Sequence, residues 1–387
     1  MYICAMQLSV IILNYNVRYF LEQCVLSVQD AIKNIDAEII VIDNHSSDDS
    51  CAMMKSRFPH IKLIENKENT GFSKGNNIGV AEAKGEYLCI LNPDTIVAED
   101  TFEKVLAFAR TKTDLGIVGC KLIDGTGQFL PESKRGIPSP FVAFSRIVGL
   151  YKISDRFGQY YAQHLKPDQT GKVEILVGAF MLMKREIYLE VGGFDEDCFM
   201  YSDDVDLSYM VLKSGRSNYY FHETSVIHYK GESTVRDGLY MKRFRESMNF
   251  FYKKHFRVSV VFDIFMRIGA YLFSASKKNQ AVYTKRHIDA YWLISDDENL
   301  TRKVENLLGK KVQRLEAATK NTINSLPSDG YVEIILDNNH MSFKNIIDVM
   351  EQNKDNRFTF KILPQNSHFI IGSNSSNDRG EVLEINK

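Results

Sequence analysis

"LSVIILNYNVRYFLEQCVLSVQDAIKNIDAEIIVIDN", residues 8–44, is the stretch on which the fold turns. Two β-branched runs, "LSVIIL" (8–13) and "EIIVID" (38–43), bracket a segment in which Phe20, Leu21, Cys24, Val25 and Val28 recur on one helical face. Continuous apolar strands separated by a helix predict parallel pairing, because a crossover helix is what joins parallel neighbours. The pattern repeats outward. A Ser/Asp-capped helix begins near Ser47, "IKLIE" (61–65) reads as a third strand, a Gly/Asn-rich loop leads into helical "NNIGVAEA" (76–83), and "YLCILNPD" (87–94) is the fourth strand. The expectation is an α/β fold, a mostly parallel sheet covered by helices on both faces, with ligands bound beyond the carboxyl ends of its strands.

Further along, "LGIVGCKL" precedes a Gly/Pro-rich insertion, 124–140, that reads as a long mobile loop. Order resumes in "VEILVGAFMLMKREIYLEVGGFDED". "FMYSDDVDLSYMVLKSG" (199–215) is an amphipathic helix with Val205, Tyr209 and Leu212 on one face and Asp203, Asp204 and Asp206 in its first turn. "SNYYFHETSVIHYKG" reads as two short strands ending at His228, and the basic segment 240–290 has a helical pattern. From "YWLISDD" (291–297) a second βα alternation begins, with strands at 331–337 and 357–363 around a helix at 342–353. The expected organisation is a catalytic unit over 1–240, a basic helical segment over 241–285, and a small accessory α/β domain over 286–387.

Composition narrows the function. The chain has 387 residues, 44% hydrophobic, with a net charge of −1. That near-neutrality hides thirteen Lys/Arg against five Asp/Glu in residues 230–290, a hint of a negatively charged partner. Six cysteines, the last of them Cys198, include no CxxC pair, so they read as reduced core residues of a cytosolic protein. The apolar start lacks the basic residues and cleavage site of a signal peptide and reads as a buried first strand. Residues 256–275 come nearest to a spanning helix, but Asp263 and Arg267 interrupt them. Each charge opposes insertion by about 2.5–3.5 kcal/mol, which favours a helix at a membrane surface or one packed on the protein.

The strand ends are chemically rich. A reaction on a nucleotide diphosphate builds charge on its leaving group, and a divalent cation held by one or two carboxylates neutralises it. Asp94 in "NPD" suits that role. His228, also at a strand end, is either a second ligand to manganese or a satisfied structural histidine. "NTGFSKGNNIG" (69–79) offers Gly71, Gly75 and Gly79 for close backbone approach and Asn69, Asn76 and Asn77 for hydrogen bonds, or else is a plain loop with a helix cap. Neither GxGxxG nor GxxxxGK[ST] occurs, which argues against a dehydrogenase or an ATPase. Helix capping alone accounts for one or two of the three aspartates. A carboxylate that takes the proton of an attacking hydroxyl accounts for another, and Asp204 is the candidate, with Asp203 and Asp206 orienting it or holding the helix start.

Taken together, "SVIILNYN", "VIDNHSSDDS", "ENTGFSKGNNIG", "LNPDT", "GAFMLMKRE", "GGFDEDCFMYSDDVDLSYMVLKSG" and "VIHYKG" resemble, in order and spacing over residues 8–255, the family-2 glycosyltransferases of the GT-A fold, most closely their rhamnosyltransferase-like branch. The resemblance implies a mixed, mostly parallel sheet sandwiched by helices. It also implies inverting transfer of a sugar from a nucleotide-diphosphate donor, linked to dTDP, UDP or GDP, onto a saccharide or lipid-linked acceptor in bacterial surface polysaccharide assembly. Asn14, Asn16, Asp43 and Asn44 then fall at the nucleoside, and Asn69, Gly71 and Asn76 in the glycine-rich donor segment. Asn92 and Asp94 stand in the metal motif for Mn2+ or Mg2+, with Asn92 replacing its first acid. His228 completes the metal shell, Gly178 and Ala179 border the sugar, and "DD" at 203–204 points to Asp204 as base. The family places such enzymes in the cytoplasm, at the inner membrane face where the acceptor is a lipid, and residues 240–275 suit peripheral contact there. No nucleic-acid partner is implied. Two other classes fit the sequence less well. A sugar-phosphate nucleotidyltransferase would need a glycine-rich basic loop after the first strand, and "LNYNVRYF" is not one. A non-catalytic protein of the same fold would have no need of Asp94, Asp204 and His228.

Overall fold

The computed structural model describes residues 6–139, 161–229, 238–256, 287–316, 330–374 and 380–385. Its opening unit forms as the pattern predicts. β1 (Leu8–Asn14) lies almost wholly buried, α1 (Arg18–Ala31) crosses over, and β2 (Ala37–Asp43) pairs parallel to β1, setting Asn14 opposite Asp43. Phe20, Leu21, Cys24, Val25 and Val28 are all buried beneath α1. Each large apolar side chain withdrawn from water this way contributes about 1.5–3 kcal/mol.

The unit continues through α2 (Ser50–Arg57), β3 (Lys62–Glu65), α3 (Gly71–Ala81), β4 (Tyr87–Leu91), β5 (Thr95–Ile96), α4 (Thr101–Arg110) and β6 (Leu115–Ile123). It then runs through β7 (Gly171–Val173), β8 (Phe180–Lys184), α5 (Arg185–Glu190), α6 (Asp203–Lys213), β9 (Ser217–His228) and α7 (Gly238–His255). The nine strands order as β3-β2-β1-β4-β8-β6-β9-β5, with β7 against β9. β3, β2, β1 and β4 run parallel, and β8 lies antiparallel between β4 and β6. The carboxyl ends of β1, β2 and β4 therefore share one edge, and Asn14, Asp43 and the turn "NPD" stand there.

Local features correct the sequence reading. α3 begins at Gly71, so most of the expected Gly/Asn-rich loop is helix. Its glycines face the sheet: a Cβ at Gly75 would lie 2.5 Å from Leu13 Cδ1, and one at Gly79 2.4 Å from Ile42 Cδ1. These two positions bring helix and sheet together. The insertion after residue 124 is ordered through residue 139. Asp124 Oδ1 accepts from the backbone of Thr126 and Gln128, Leu130 N bonds Leu122 O, and Arg135 exchanges two 2.9 Å backbone bonds with Ile175. Residue 140, its last, lies outside the described residues. The pair of strands expected before His228 is one strand, β9, whose register against β6 slips between Cys120↔Phe221 and Lys121↔Ser225.

A second sheet follows: β10 (Ala290–Ile294), α8 (Glu298–Leu308), β11 (Val312–Leu315), β12 (Val332–Asp337), α9 (Phe343–Gln352), β13 (Phe358–Leu363), β14 (Phe369–Gly372) and β15 (Glu381–Glu384). Its order is β11-β10-β12-β13-β14-β15, parallel through β13 and antiparallel beyond. Strands β11, β14 and β15 are additions to the sequence reading. One buried apolar cluster holds Phe20 and Tyr229 together with Met350, Trp292 and Phe360, so the two sheets share a core. At the seam the Glu99 carboxylate accepts from Phe343 N at 2.7 Å and Lys344 N at 2.8 Å, placing an anion at the amino end of α9. Glu351 meets Ser225 and Lys121 at 2.7 and 2.9 Å.

In the basic segment, α7 packs on the first unit. Phe251 and Tyr252 are buried with Ile175 and Val205. Residues 257–286, which include the rest of the proposed membrane segment, lie outside the described residues. Among the described residues no helix is long and apolar enough to cross a membrane.

Candidate active site

The polar groups at the ends of β1 and β2 are tied to one another. Asn14 Nδ2 donates to Asp43 Oδ1 at 2.8 Å and to Ser46 Oγ at 3.1 Å, and Asp43 Oδ2 accepts from Ser46 N at 2.8 Å. Asn14 Oδ1 is buried with no hydrogen-bond partner among the described residues. Asn16 adopts a left-handed φ of 57°, which asparagine tolerates better than most residues, and its Oδ1 accepts from Ser47 N at 2.7 Å. Two loops are thereby laced into one concave rim.

Asn44 has a different role. Its amide donates to Asn69 Oδ1 (2.9 Å) and Gly71 O (3.2 Å), and its Oδ1 accepts from Asn66 Nδ2, Thr70 N and Thr70 Oγ1 at 3.0–3.1 Å. Asn69 Oδ1 also accepts from Gly71 N at 3.0 Å. Both side chains are committed to shaping the loop before α3. Gly71 has φ 82°, and a Cβ there would come 2.7 Å from the Phe199 ring. Asn76 bonds back to Phe72 O within α3 and is 1% exposed. Of the expected donor contacts, Asn14, Asn16 and Asp43 are thus tied together at the rim, while the side chains of Asn44 and Asn69 hold the loop before α3 and Asn76 bonds within that helix.

At the end of β4, β5 pairs with β9 so that Thr95 faces His228. This brings His228 Nε2 to 3.4 Å from Asp94 Oδ1 and 3.4 Å from Asn92 Nδ2, with Asp94 and His228 5% and 7% exposed. A carboxylate and an imidazole this close would be able to hold a shared divalent cation. Among the described residues no group of three His, Cys, Asp or Glu side chains forms a metal site. The remaining positions would fall to water and substrate phosphates, and the imidazole nitrogen would favour manganese over magnesium, which prefers oxygen ligands.

The three aspartates are buried at the start of α6, each with its own environment. Asp206 is held by Lys254 Nζ at 2.8 Å and His255 Nε2 at 2.5 Å, both from α7, so it ties the helix down. Burial, reinforced by the neighbouring Asp204 charge, pushes the Asp203 carboxyl up to about 8, which keeps it protonated at neutral pH. Asp204 Oδ2 accepts from Arg135 Nη2 at 2.5 Å and from Gly178 N at 3.1 Å. Arg135 also donates to Leu176 O at 3.0 Å. It is the site residue that sequence reasoning missed, because "PESKRGIPSP" read as part of a mobile loop. The apolar face predicted for this helix contributes Val205 and Tyr209 to the packing with α7, while Leu207, Ser208 and Val211 are its deeply buried positions.

Two consecutive residues join the halves. Gly178 N holds Asp204, and Ala179 O accepts from Asn92 N at 3.1 Å. Neighbouring Cα atoms are about 3.8 Å apart, so the acid of α6 and the turn carrying Asp94 border the same short stretch of chain. On one side stands a carboxylate with a positioned oxygen. On the other stands a carboxylate–imidazole pair beside the rim of Asn14 and Asp43. This arrangement is fit to take a proton from a nucleophile on one side and to brace an anionic leaving group on the other.

Residues 9–192 match the model of glycosyl transferase family 2, a span that includes Asn14, Asp43, Asp94, Arg135 and Gly178 and ends before Asp203. Over 242 residues the chain is 27% identical to the N-acetylglucosaminyl-diphospho-decaprenol L-rhamnosyltransferase of Mycobacterium tuberculosis, covering 59% of this chain and 78% of that relative. Over 218 residues it is 26% identical to the rhamnosyltransferase WbbL of Escherichia coli K12, covering 52% and 78%. Among solved structures, a mannosyltransferase from Pyrobaculum calidifontis is similar at 17% identity and a TM-score of 0.46, covering 72% of this chain and 77% of that one.

Proposed function

The chain belongs to the family-2 glycosyltransferases and has their GT-A fold; from that premise we propose that it performs an inverting transfer from a nucleotide-diphosphate sugar to a hydroxyl of a lipid-linked saccharide. The reading assigns the donor nucleoside to the rim of Asn14, Asn16 and Asp43. The acceptor hydroxyl approaches Asp204. Its oxygen bonds to the anomeric carbon, the bond from that carbon to the diphosphate breaks, the diphosphate leaves with the electron pair, and the hydroxyl proton passes to Asp204. Asp204 Oδ2 is occupied by Arg135 and Gly178, which leaves Oδ1 as the oxygen to receive the proton. Asp203, neutral at pH 7, adds no second negative charge beside it. Asp94 and His228 would hold a divalent ion, manganese or magnesium, which supplies charge neutralisation at the departing diphosphate.

The observation that carries this reading is the double attachment at Gly178 and Ala179, which sets base and leaving-group residues against one stretch of chain. Likeness to two rhamnosyltransferases supports a deoxyhexose donor and a place in assembling bacterial surface polysaccharide, at the cytoplasmic face of the membrane where a lipid-linked acceptor resides.

The test is a panel of dTDP-, UDP- and GDP-sugars scored by thermal stabilisation with manganese and with chelator, since a ligand that binds the native state raises the midpoint by mass action. One nucleotide class should stabilise the protein, and more strongly with the metal. No stabilisation by any member of the panel would remove the donor from the account.

A further inference from the structure

We infer that the C-terminal sheet is a positioning element for donor binding, gripping Arg18 and Tyr19 and through them the two loops of the nucleoside rim. The inference rests on the donor assignment above. Tyr19 Oη donates to the Glu384 carboxylate of β15, and its ring meets Phe369 of β14 edge-on at 4.8 Å between centroids. The Arg18 guanidinium lies 4.2 Å from the Tyr19 ring centre and 5.5 Å from that of Phe369. Cation–aromatic contacts of this kind are directional enough to fix a side chain's place as well as to stabilise it.

Arg18 is also where the two rim loops meet. Its backbone N donates to Asp48 Oδ2 at 3.1 Å, and its side chain pairs with Asp49 at 3.4 Å and with the buried Glu22 at 3.0 Å. Glu22 is shared with Arg57, whose Nη2 reaches Gln365 O, and Gln365 Nε2 donates to Asp30 at 3.2 Å. A carboxylate as buried as Glu22 requires its cations in place. The segment from Gln365 to Phe369 thus supports, from beneath, the residues that follow Asn14 and Asn16 and the loop that carries Ser46 and Ser47. Loops alone are the mobile part of such a fold. Here a second sheet holds them.

The test uses the full chain with Phe369→Ala and the milder Tyr19→Phe and Glu384→Gln, and with Gln128→Ala, which removes a bond to Lys354 O elsewhere on the seam, as control. Two quantities are read: hydrogen exchange in peptides covering residues 14–17 and 46–50, and calorimetric affinity for UDP, dTDP and GDP with manganese. Exchange should quicken in those peptides for all three test variants, and affinity for the bound nucleotide should fall by about tenfold in Phe369→Ala, less in the milder pair, with the control unchanged. Unaltered exchange in the rim peptides would overturn the inference whatever the affinities do. Quickened exchange with undiminished affinity would overturn it as well. Absence of nucleotide binding by the wild-type protein would instead strike down the donor assignment, and this inference with it.

Discussion

The two sides of the candidate site solve the problem of buried polarity in different ways. On the donor side, neutral amides and the Asp43 carboxylate bond to one another across neighbouring loops, Asn14 with Asp43, Asn16 with Ser47, Asn44 with Asn69 and Thr70, while Asp94 stands with His228. On the acceptor side, three carboxylates fall within four residues, and each is handled singly: Asp206 by Lys254 and His255, Asp204 by Arg135, and Asp203 by remaining protonated. The neutral network too joins residues remote in sequence, Asn14 and Asp43 being 29 residues apart, but it needs no compensating charge from outside the rim. Buried charges need cations, and here they come from Arg135 and Lys254, well away in the chain, while the His255 ring, whose pKa burial lowers, adds a hydrogen-bond partner to Asp206. Perturbing the acceptor side should therefore act on chemistry and on pH dependence, and perturbing the donor side on nucleotide binding.

Asp204→Asn is the sharpest way to break that division. Loss of a general base costs about 10²–10⁴-fold in rate, so transfer at saturating donor should fall by that much while calorimetric nucleotide affinity stays as in the wild type. A parallel loss of affinity would mean the two sides are not separable. Asp94→Ala should do the reverse: manganese-dependent nucleotide affinity should weaken by about tenfold or more. If affinity with and without chelator were the same in wild type and variant, no metal would act at Asp94.

Arg135→Gln sharpens the comparison further, since it removes the compensating cation and leaves the acid. Without it, Asp204 Oδ2 keeps only the Gly178 N–H, and the carboxylate is no longer held in place from the Arg135 side. Transfer at saturating donor should fall by about tenfold or more while donor affinity stays put, and Arg135→Lys should restore part of the rate. A parallel loss of nucleotide affinity would reduce Arg135 to a general structural role.

The same contrast explains what could be read from the sequence. The parallel core was legible because burial on both faces leaves continuous apolar runs, as in "LSVIIL" and "EIIVID". The convergence of Asp94 with His228 was legible as a pairing of strand ends. Arg135 was not, because its place is fixed by a non-local pairing, the two backbone bonds it exchanges with Ile175. Nor did composition reveal that Gly75 and Gly79 serve helix–sheet contact, since glycine permits close approach to a ligand and to a side chain alike. Strands β14 and β15 are short, four residues each, too few to set a pattern apart from the loops around them.

The smallest expected effect tests the protonation of Asp203. In the folded protein its carboxyl keeps a proton up to about pH 8, whereas in the unfolded chain it loses it near the ordinary value of about 4. Between those values the native state binds more protons than the unfolded state, so this group makes stability fall as pH rises, by at most about 1.4 kcal/mol per pH unit. Below the unfolded value the contribution is fully present, and above about 8 it is gone. Asp203→Asn keeps the shape of the neutral acid and cannot ionise. Its melting temperature relative to wild type should therefore climb between pH 5 and pH 8, with transfer activity at neutral pH little changed. A gap between the two proteins that stays constant across that range would show that Asp203 is already charged at neutral pH, and the contrast between the two sides of the candidate site would lose its acid that stays neutral.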